Sequence, residues 1–429
     1  MNNPTHPRLP TTRREFLRMG GTGVGLLAFS AFAPDFLARA ALANVPAPQR
    51  DRRILVIIQL AGGNDGLNTV VPYADDLYYK LRPKLGISDQ SALIKLDDHV
   101  ALPTSCAPLA GLFKDGKLAI VQNVGYPNPN HSHFRSSEIW ETASDADVYL
   151  QTGWIGRYLD NCCAGQPAAD PSVDHDPDAV HATTTMPQTY LADQPQDYFG
   201  IGTTTRANLR VRPRRDATKP VALLEELAQA PTPGDNVHFL SHTLMDALVT
   251  ERRVQNVLDA YKTPVAYPTA QLAQSLRRVT ALIAAGLETR VYFCSQSGFD
   301  THANQFAGHQ RLLGDLSTSL AAFQQDLERL GLDQQVVTMT FSEFGRRPYE
   351  NVALGTDHGT AAPLFMMGSA LNAKNGLIGD APDLNIPDKG DLTYKIDFRQ
   401  VYATVLQRWL DTDPAKLLGK KFEPLPILA

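Results

Sequence analysis

The sequence predicts an α/β fold, a doubly wound and mostly parallel sheet flanked by helices, with a helical insertion. Three observations predict it. Short continuous apolar runs such as Ile54-Leu55-Val56-Ile57-Ile58 suit strands buried on both faces. Amphipathic helical stretches alternate with those runs, as crossover connections require. The chain is 429 residues long, 43% hydrophobic and 20% charged, which is enough to enclose a large core.

The first 43 residues read as an export signal rather than as part of the fold. Thr12-Arg13-Arg14-Glu15-Phe16-Leu17-Arg18 is a twin-arginine motif, followed by a weakly apolar run from Met19 to Phe32 and a small-residue exit at Ala41-Leu42-Ala43. Gly20, Gly21, Gly23, Gly25 and Pro34 break the apolar run, which makes it poor as a membrane span. The chain is thus expected in the periplasm or outside the cell, with a single α/β domain over residues 44–429. The twin-arginine route carries folded proteins and is often used where a metal or cofactor is inserted before export.

Five strands are expected at Ile54–Ile58, Leu118–Val124, Val291–Cys294, Gln335–Phe341 and Leu364–Met367. Helices are expected near Leu109–Lys114, Phe134–Thr142, Val221–Ala230, Val237–Tyr261, Gln271–Ala285, Ala303–Leu330 and Phe398–Leu410. In the longest, Leu312, Leu316, Leu320, Phe323, Leu327 and Leu330 recur at three- and four-residue steps and define one apolar face. Residues 164–200, rich in Pro, Asp, Ala and Thr, read as an irregular surface insertion whose Asp174, His175, Asp176, Asp178 and His181 face solvent. Residues 215–288 read as a purely helical segment.

Composition excludes several classes. Forty Lys+Arg against 45 Asp+Glu give a formal charge of −5, with no basic stripe for a nucleic acid. After signal removal no apolar stretch is long enough to span a membrane. Gly62-Gly63-x-x-Gly66 lacks the order of a dinucleotide-binding turn, and no G-x-S-x-G marks a serine hydrolase. The four cysteines, Cys106, Cys162, Cys163 and Cys294, show no C-x-x-C spacing and are expected as free, mostly buried thiols.

Ligands of open α/β sheets bind beyond the carboxyl ends of the strands. The segments that follow the expected strands are Asn64-Asp65-Gly66-Leu67-Asn68, His131-Ser132-His133-Phe134-Arg135, Gly298-Phe299-Asp300-Thr301-His302 and Ser342-Glu343-Phe344-Gly345-Arg346-Arg347. Asp357-His358-Gly359 precedes the fifth strand. Oxygen and nitrogen donors converging from several turns onto one rim are the pattern of a hard or borderline metal site.

These blocks, in this order and spanning nearly the whole chain after the signal, resemble the signatures of an exported bacterial family catalogued as domain-of-unknown-function family fifteen-oh-one. That family is similar to the alkaline-phosphatase-like and sulfatase superfamily of metal-dependent hydrolases. The resemblance implies Asp65, Asp300, His302, Glu343 and His358 as metal ligands and Ser132 as nucleophile. Two departures stand out: only Thr301 separates Asp300 from His302, where the superfamily usually has three residues, and Phe344 replaces a histidine. They leave open one divalent ion in place of two zincs, with Zn, Ca and Mg all eligible.

Each residue also has a plainer reading. Asp is common in Gly-rich turns, which suffices for Asp65. Ser132 suits an N-cap, although Arg135 denies it a capping box. Asp300 suits a cap of the helix that follows, and Glu343 a structural pair with Arg346 or Arg347. His131 and His133 are either ligands or solvent-facing, and His309 reads as helix surface. Arg346 is the expected clamp on anionic oxygens, with Asn64, Asn68, His133 and Arg347 as further substrate contacts. The expected function is an exported metal-dependent hydrolase of phosphate or sulfate esters, acting on a small anionic ester or a glycan. The alternative is a non-catalytic secreted binding protein that keeps the fold.

Overall fold

The β-branched run that opens the domain becomes the middle of a nine-stranded sheet. The structure, a computed structural model, describes residues 52–162, 176–194, 196, 198–202, 251, 253–372, 376–387 and 389–428. The expected export signal, and residues 215–250 of the expected helical segment, lie outside the described residues.

The strands are β1 (Ile54–Ala61), β2 (Leu93–Lys95), β3 (Ala101–Pro103), β4 (Leu118–Gly125), β5 (Ala179–Ala182), β6 (Tyr198–Gly200), β7 (Val291–Ser297), β8 (Val336–Phe341), β9 (Ala362–Met367), β10 (Leu377–Ile378) and β11 (Ile396–Asp397). The sheet runs β10-β4-β9-β8-β1-β7-β5-β6, with β11 also on β4, while β2 and β3 form a separate antiparallel pair. β1 is parallel to β7 and β8 on its two sides. β9 is antiparallel to both β4 and β8, so β4 runs the same way as β1. The carboxyl ends of β1, β4, β7 and β8 therefore meet at one edge of the sheet, and β9 begins there.

The named helices are α1 (Asp76–Leu81), α2 (Ala107–Lys114), α3 (His133–Thr142), α4 (Trp154–Cys162), α5 (Gln271–Ala284), α6 (Gln305–Leu330), α7 (Phe398–Thr404) and α8 (Pro414–Leu418). Successive β1 side chains point to opposite faces, and each face has its own core. Leu55 and Ile57 pack with Ile139 of α3, Ile155 of α4 and Val401 of α7. Ile54, Val56 and Ile58 pack with Leu109 of α2, Leu276 of α5 and Leu316 of α6. Burial on both faces is why β1 reads as an unbroken apolar run rather than an alternating one.

One stretch departs from the sequence expectation. Within 164–200, β5 and β6 extend the main sheet, with Ala179 and Val180 fully buried. The Pro- and Asp-rich flanks hid two strands too short to show periodicity. His181 is buried in β5, and Asp176 pairs with Arg253 at 3.0 Å instead of facing solvent freely. Asp174 and His175 lie outside the described residues. Cys106 and Cys294 are free and buried, and burial pushes both thiols up to about 12.

Candidate metal centre

The sheet edge brings together residues that lie far apart in the chain. His133 is the first residue of α3, just after β4. Asp300 and His302 follow β7, Glu343 follows β8, and His358 sits in the loop before β9, bridged to Arg346. One ligand atom each of His133, Asp300 and His358 lie within 4.8 Å of one another. Asp300 Oδ1 is 3.5 Å from His133 Nε2, 3.0 Å from His302 Nε2 and 3.2 Å from His358 Nε2.

Each of these imidazoles is oriented from behind. His358 Nδ1 lies 2.7 Å from the His131 carbonyl, His302 Nδ1 3.3 Å from Asp357 Oδ1, and His133 Nδ1 2.9 Å from Glu343 Oε1. A carbonyl or a carboxylate only accepts, so each Nδ1 carries the proton and donates it. The Nε2 atom of each ring faces Asp300 Oδ1. His302 Nε2 and His358 Nε2 are only 2.9 Å apart, and two bare nitrogens that close repel unless a proton or a cation lies between them. Imidazoles pinned through Nδ1 by a carboxylate or a carbonyl are the outer-shell pattern of metal-ligating histidines.

Burial lowers the His358 pKa, partly opposed by its bonds to His131 and Asp300, which favours the neutral ring a ligand needs. At Asp300 burial pulls upward, but the Arg346 and His358 bonds and the nearby charges outweigh it and hold the carboxyl at about 2. Behind the rings, the Phe344 ring lies 4.9 Å from that of His133 and 4.5 Å from that of His358, a buried apolar backing.

Glu343 stands behind the cluster rather than in it. Its Oε1 accepts from the Gly62 amide at 2.8 Å as well as from His133, which makes it the orienting carboxylate of that ring. Its Oε2 is buried and has no hydrogen-bond partner among the described residues.

Arg346, expected to clamp an anionic substrate, is instead fully buried and committed to the chain. Its guanidinium donates to the carbonyls of Gly62, Gly63, Phe299 and Thr356 and to Asp300 Oδ1, the last at 2.6 Å. It staples the loops after β1 and β7 to the loop before β9. Arg347 keeps its place at the rim, with a 30% exposed side chain whose Nε lies 3.4 Å from the His358 carbonyl.

Asp65 does not join the histidines. It is wholly buried and ion-paired with Arg82 at 2.7 Å, and Gln305 donates to the same oxygen. Burial drives its carboxyl upward, yet the Arg82 charge and hydrogen bond prevail and leave it below the usual range. Asn64 and Asn68, expected at the substrate, belong to the same buried network. Asn68 Oδ1 accepts from Arg82 and from the Tyr78 hydroxyl, and Asn64 Oδ1 faces His309 Nε2 at 3.0 Å. His309 is likewise buried, not helix surface. The Gly-rich turn after β1 points these side chains inward because a buried cation waits for them.

Ser132 is the N-cap of α3, but its side chain makes no capping bond and the residue is exposed; its amide donates to Asn130 Oδ1 at 2.8 Å. Sequence reasoning missed Arg82, which carries no local signal. It also missed Gln305 and His309, whose four-residue spacing on one helix places both on the face toward β1. Asp357 was visible only as the neighbour of His358.

Beside His133, Asp300 and Glu343 opens a cleft of ≈ 440 Å³ that runs along α3. Among the described residues, no helix is long and apolar enough to cross a membrane.

A mixed, mostly parallel sheet between helical layers, with a histidine- and carboxylate-rich rim at its strand ends, is the class this fold and site define. Residues 52–421 match the model of the family described as "Protein of unknown function (DUF1501)", and the chain belongs to that family. No curated protein matches the chain. Solved structures that resemble it are alkaline-phosphatase- and sulfatase-like. The C-terminal periplasmic domain of EcEptC from Escherichia coli, in complex with Zn, is 9% identical with a TM-score of 0.35, and 75% of each chain is covered. The PsFucS1 sulfatase from Pseudoalteromonas sp. is 10% identical with a TM-score of 0.33, over 91% of this chain and 74% of that one. The alkaline phosphatase from the Antarctic bacterium TAB5 is 10% identical with a TM-score of 0.28, over 74% of this chain and 92% of that one.

Proposed function

We propose that the protein is a metal-dependent hydrolase of phosphate or sulfate esters, exported to the periplasm or beyond by the twin-arginine route. One observation carries the reading: three imidazoles, each pinned through Nδ1, aim their Nε2 atoms at a single Asp300 oxygen. His133, Asp300 and His358, with His302 beside them, would hold one divalent ion, and this nitrogen-rich set suits zinc better than Ca²⁺ or Mg²⁺. Such an ion polarises an ester oxygen and lowers the pKa of a hydroxyl bound to it.

The chain's own groups do the rest. Glu343, Asp357 and the His131 carbonyl fix the three ring tautomers. Arg346 holds Asp300 in place and keeps the loops after β1 and β7 together. The Ser132 hydroxyl, exposed and free of capping duty one residue before His133, is the candidate nucleophile. Arg347 at the rim, its Nε 3.6 Å from Asp391 Oδ1, is the candidate cation for an anionic oxygen.

Metal content of the exported protein, its zinc affinity, and rates on aryl phosphates and aryl sulfates test this. Stoichiometric metal with turnover lost in Ser132→Ala and His358→Ala is the expected result; metal-free protein with no turnover above blank rejects the proposal. A second reading, a non-catalytic binding protein that keeps the fold, is favoured by Arg346. Its guanidinium already neutralises Asp300, so the rim can persist without an ion. Tight ligand binding with no hydrolysis in the metal-loaded protein would select that reading.

A further inference from the structure

Gln305 opens α6 and is only 1% exposed, although its side chain ends in a polar amide. A buried amide is tolerated where both of its ends find partners. Its Nε2 donates to Asp65 Oδ2, and a carboxylate only accepts, which settles which end of the amide faces Asp65. The other end, Oε1, is thereby turned to the two loops that carry His302 and His358.

There Oε1 accepts from two hydroxyls. Thr301 Oγ1 lies 3.0 Å away, closer than the Phe299 carbonyl that it meets at 3.4 Å, and Thr356 Oγ1 lies 2.6 Å away. Thr301 immediately precedes His302, and Thr356 immediately precedes Asp357, whose Oδ1 faces His302 Nδ1 at 3.3 Å. One carbonyl oxygen thus clips the loop after β7 to the loop before β9. The Thr356 amide donates to the Thr301 carbonyl at 3.2 Å across the same junction. Arg346 secures the neighbouring ligands: it bonds Asp300 at 2.6 Å and is bridged to His358. It reaches His302 Nε2 only at 3.5 Å, and the His302 side chain is 45% exposed.

We propose that Gln305 is a positioning residue for the metal centre: by holding Thr301 and Thr356 on one oxygen, it keeps His302 in register with Asp357 and brings a fourth protein ligand to the ion held by His133, Asp300 and His358. This deepens the metal reading above and rests on it. The work is divided between two buried side chains, with Arg346 placing Asp300 and His358, and Gln305 placing His302.

A double-mutant cycle between Thr301 and His302 tests this, with Zn²⁺ affinity of the full chain measured by competition with a chelating dye. Thr301→Val removes one hydroxyl and leaves Thr356 to satisfy Oε1, which spares the fold. The expected loss is about 10–100-fold, the size of an outer-shell substitution, with recovery in Thr301→Ser, which restores the hydroxyl. Gln305→Leu, which releases both loops, should lose at least as much. In a His302→Ala chain, which keeps the other three ligands, Thr301→Val should cost no more than about twofold further, because the ring it positions is gone. A merely structural role would cost the same factor with and without His302. That result, or unchanged affinity in Thr301→Val, in a wild-type background that binds Zn²⁺ overturns this inference alone. A wild-type chain that binds no Zn²⁺ overturns the metal reading and this inference with it.

Discussion

His358 and His131 share a hydrogen bond that orders the metal centre: the His358 Nδ1 proton points at the His131 carbonyl, 2.7 Å away, so the opposite ring nitrogen faces Asp300. The bond ties the loop before β9 to the segment before α3. The orientation of the His358 ring is thus set by backbone on another loop.

Removal of a ligand should cost more than removal of its support. Zinc affinity by competition with a chelating dye should fall by well over 100-fold in Asp300→Ala and His358→Ala. In Glu343→Gln it should fall about 10–100-fold, because the His133 ring keeps a partner but loses a charged one. Equal, negligible losses in all three would mean that the cluster holds no metal.

Asp65 and Arg82 predict the opposite separation. Arg82→Ala leaves a buried carboxylate without its cation and should destabilise the fold by about 3–5 kcal/mol in urea unfolding. Tyr78 and Asn68 lose partners in the same network. The zinc affinity of the folded fraction should stay within a few fold. A large loss of metal binding with normal stability would show that Asp65 serves the ion after all.

The buried His309 ring predicts a pH dependence. Burial holds its pKa at about 4, against the upward pull of Asp65, while an unfolded histidine titrates near 6.5. Between those values the unfolded chain binds the extra proton and the folded chain does not. Stability should therefore decline as pH falls from about 6.5 to about 4, and this contribution should level off below that, for a total on the order of 3 kcal/mol. The difference between wild type and His309→Gln across that window isolates it; parallel profiles would refute it.

Gly62 links the fold to the site. Its φ is 120°, and a Cβ there would come within 2.3 Å of the Asp300 amide nitrogen. Its amide donates to Glu343 and its carbonyl accepts from Arg346. Gly62→Ala should push the loop after β7 outward and lower both melting temperature and zinc affinity, whereas Gly116→Ala, with φ 70° but open space around the Cβ, should lower only the melting temperature. Unchanged zinc affinity in Gly62→Ala would show that the loop approach does not position Asp300.

The strands and main helices were legible because their signals are local. An unbroken apolar run or a leucine every three or four residues reports burial whatever the rest of the chain does. The rim was legible for the same reason: loops after parallel strands converge on one edge, so Asp300, His302, His358 and His133 met there. What each polar side chain does at that edge was not legible. Asp65 and Arg346 look like a ligand and a clamp in the sequence, yet each is consumed by a buried partner from a distant segment: Arg82 for Asp65, and four carbonyls with Asp300 for Arg346. β5 and β6 were hidden because three- and four-residue strands carry no period of their own. The sequence by itself determined the layers, the edge and the residue types that reach it. Only the tertiary structure decided which charges pair inside the protein and which remain to face a ligand, because a buried charge takes the nearest opposite charge in space, and chain distance does not enter that choice.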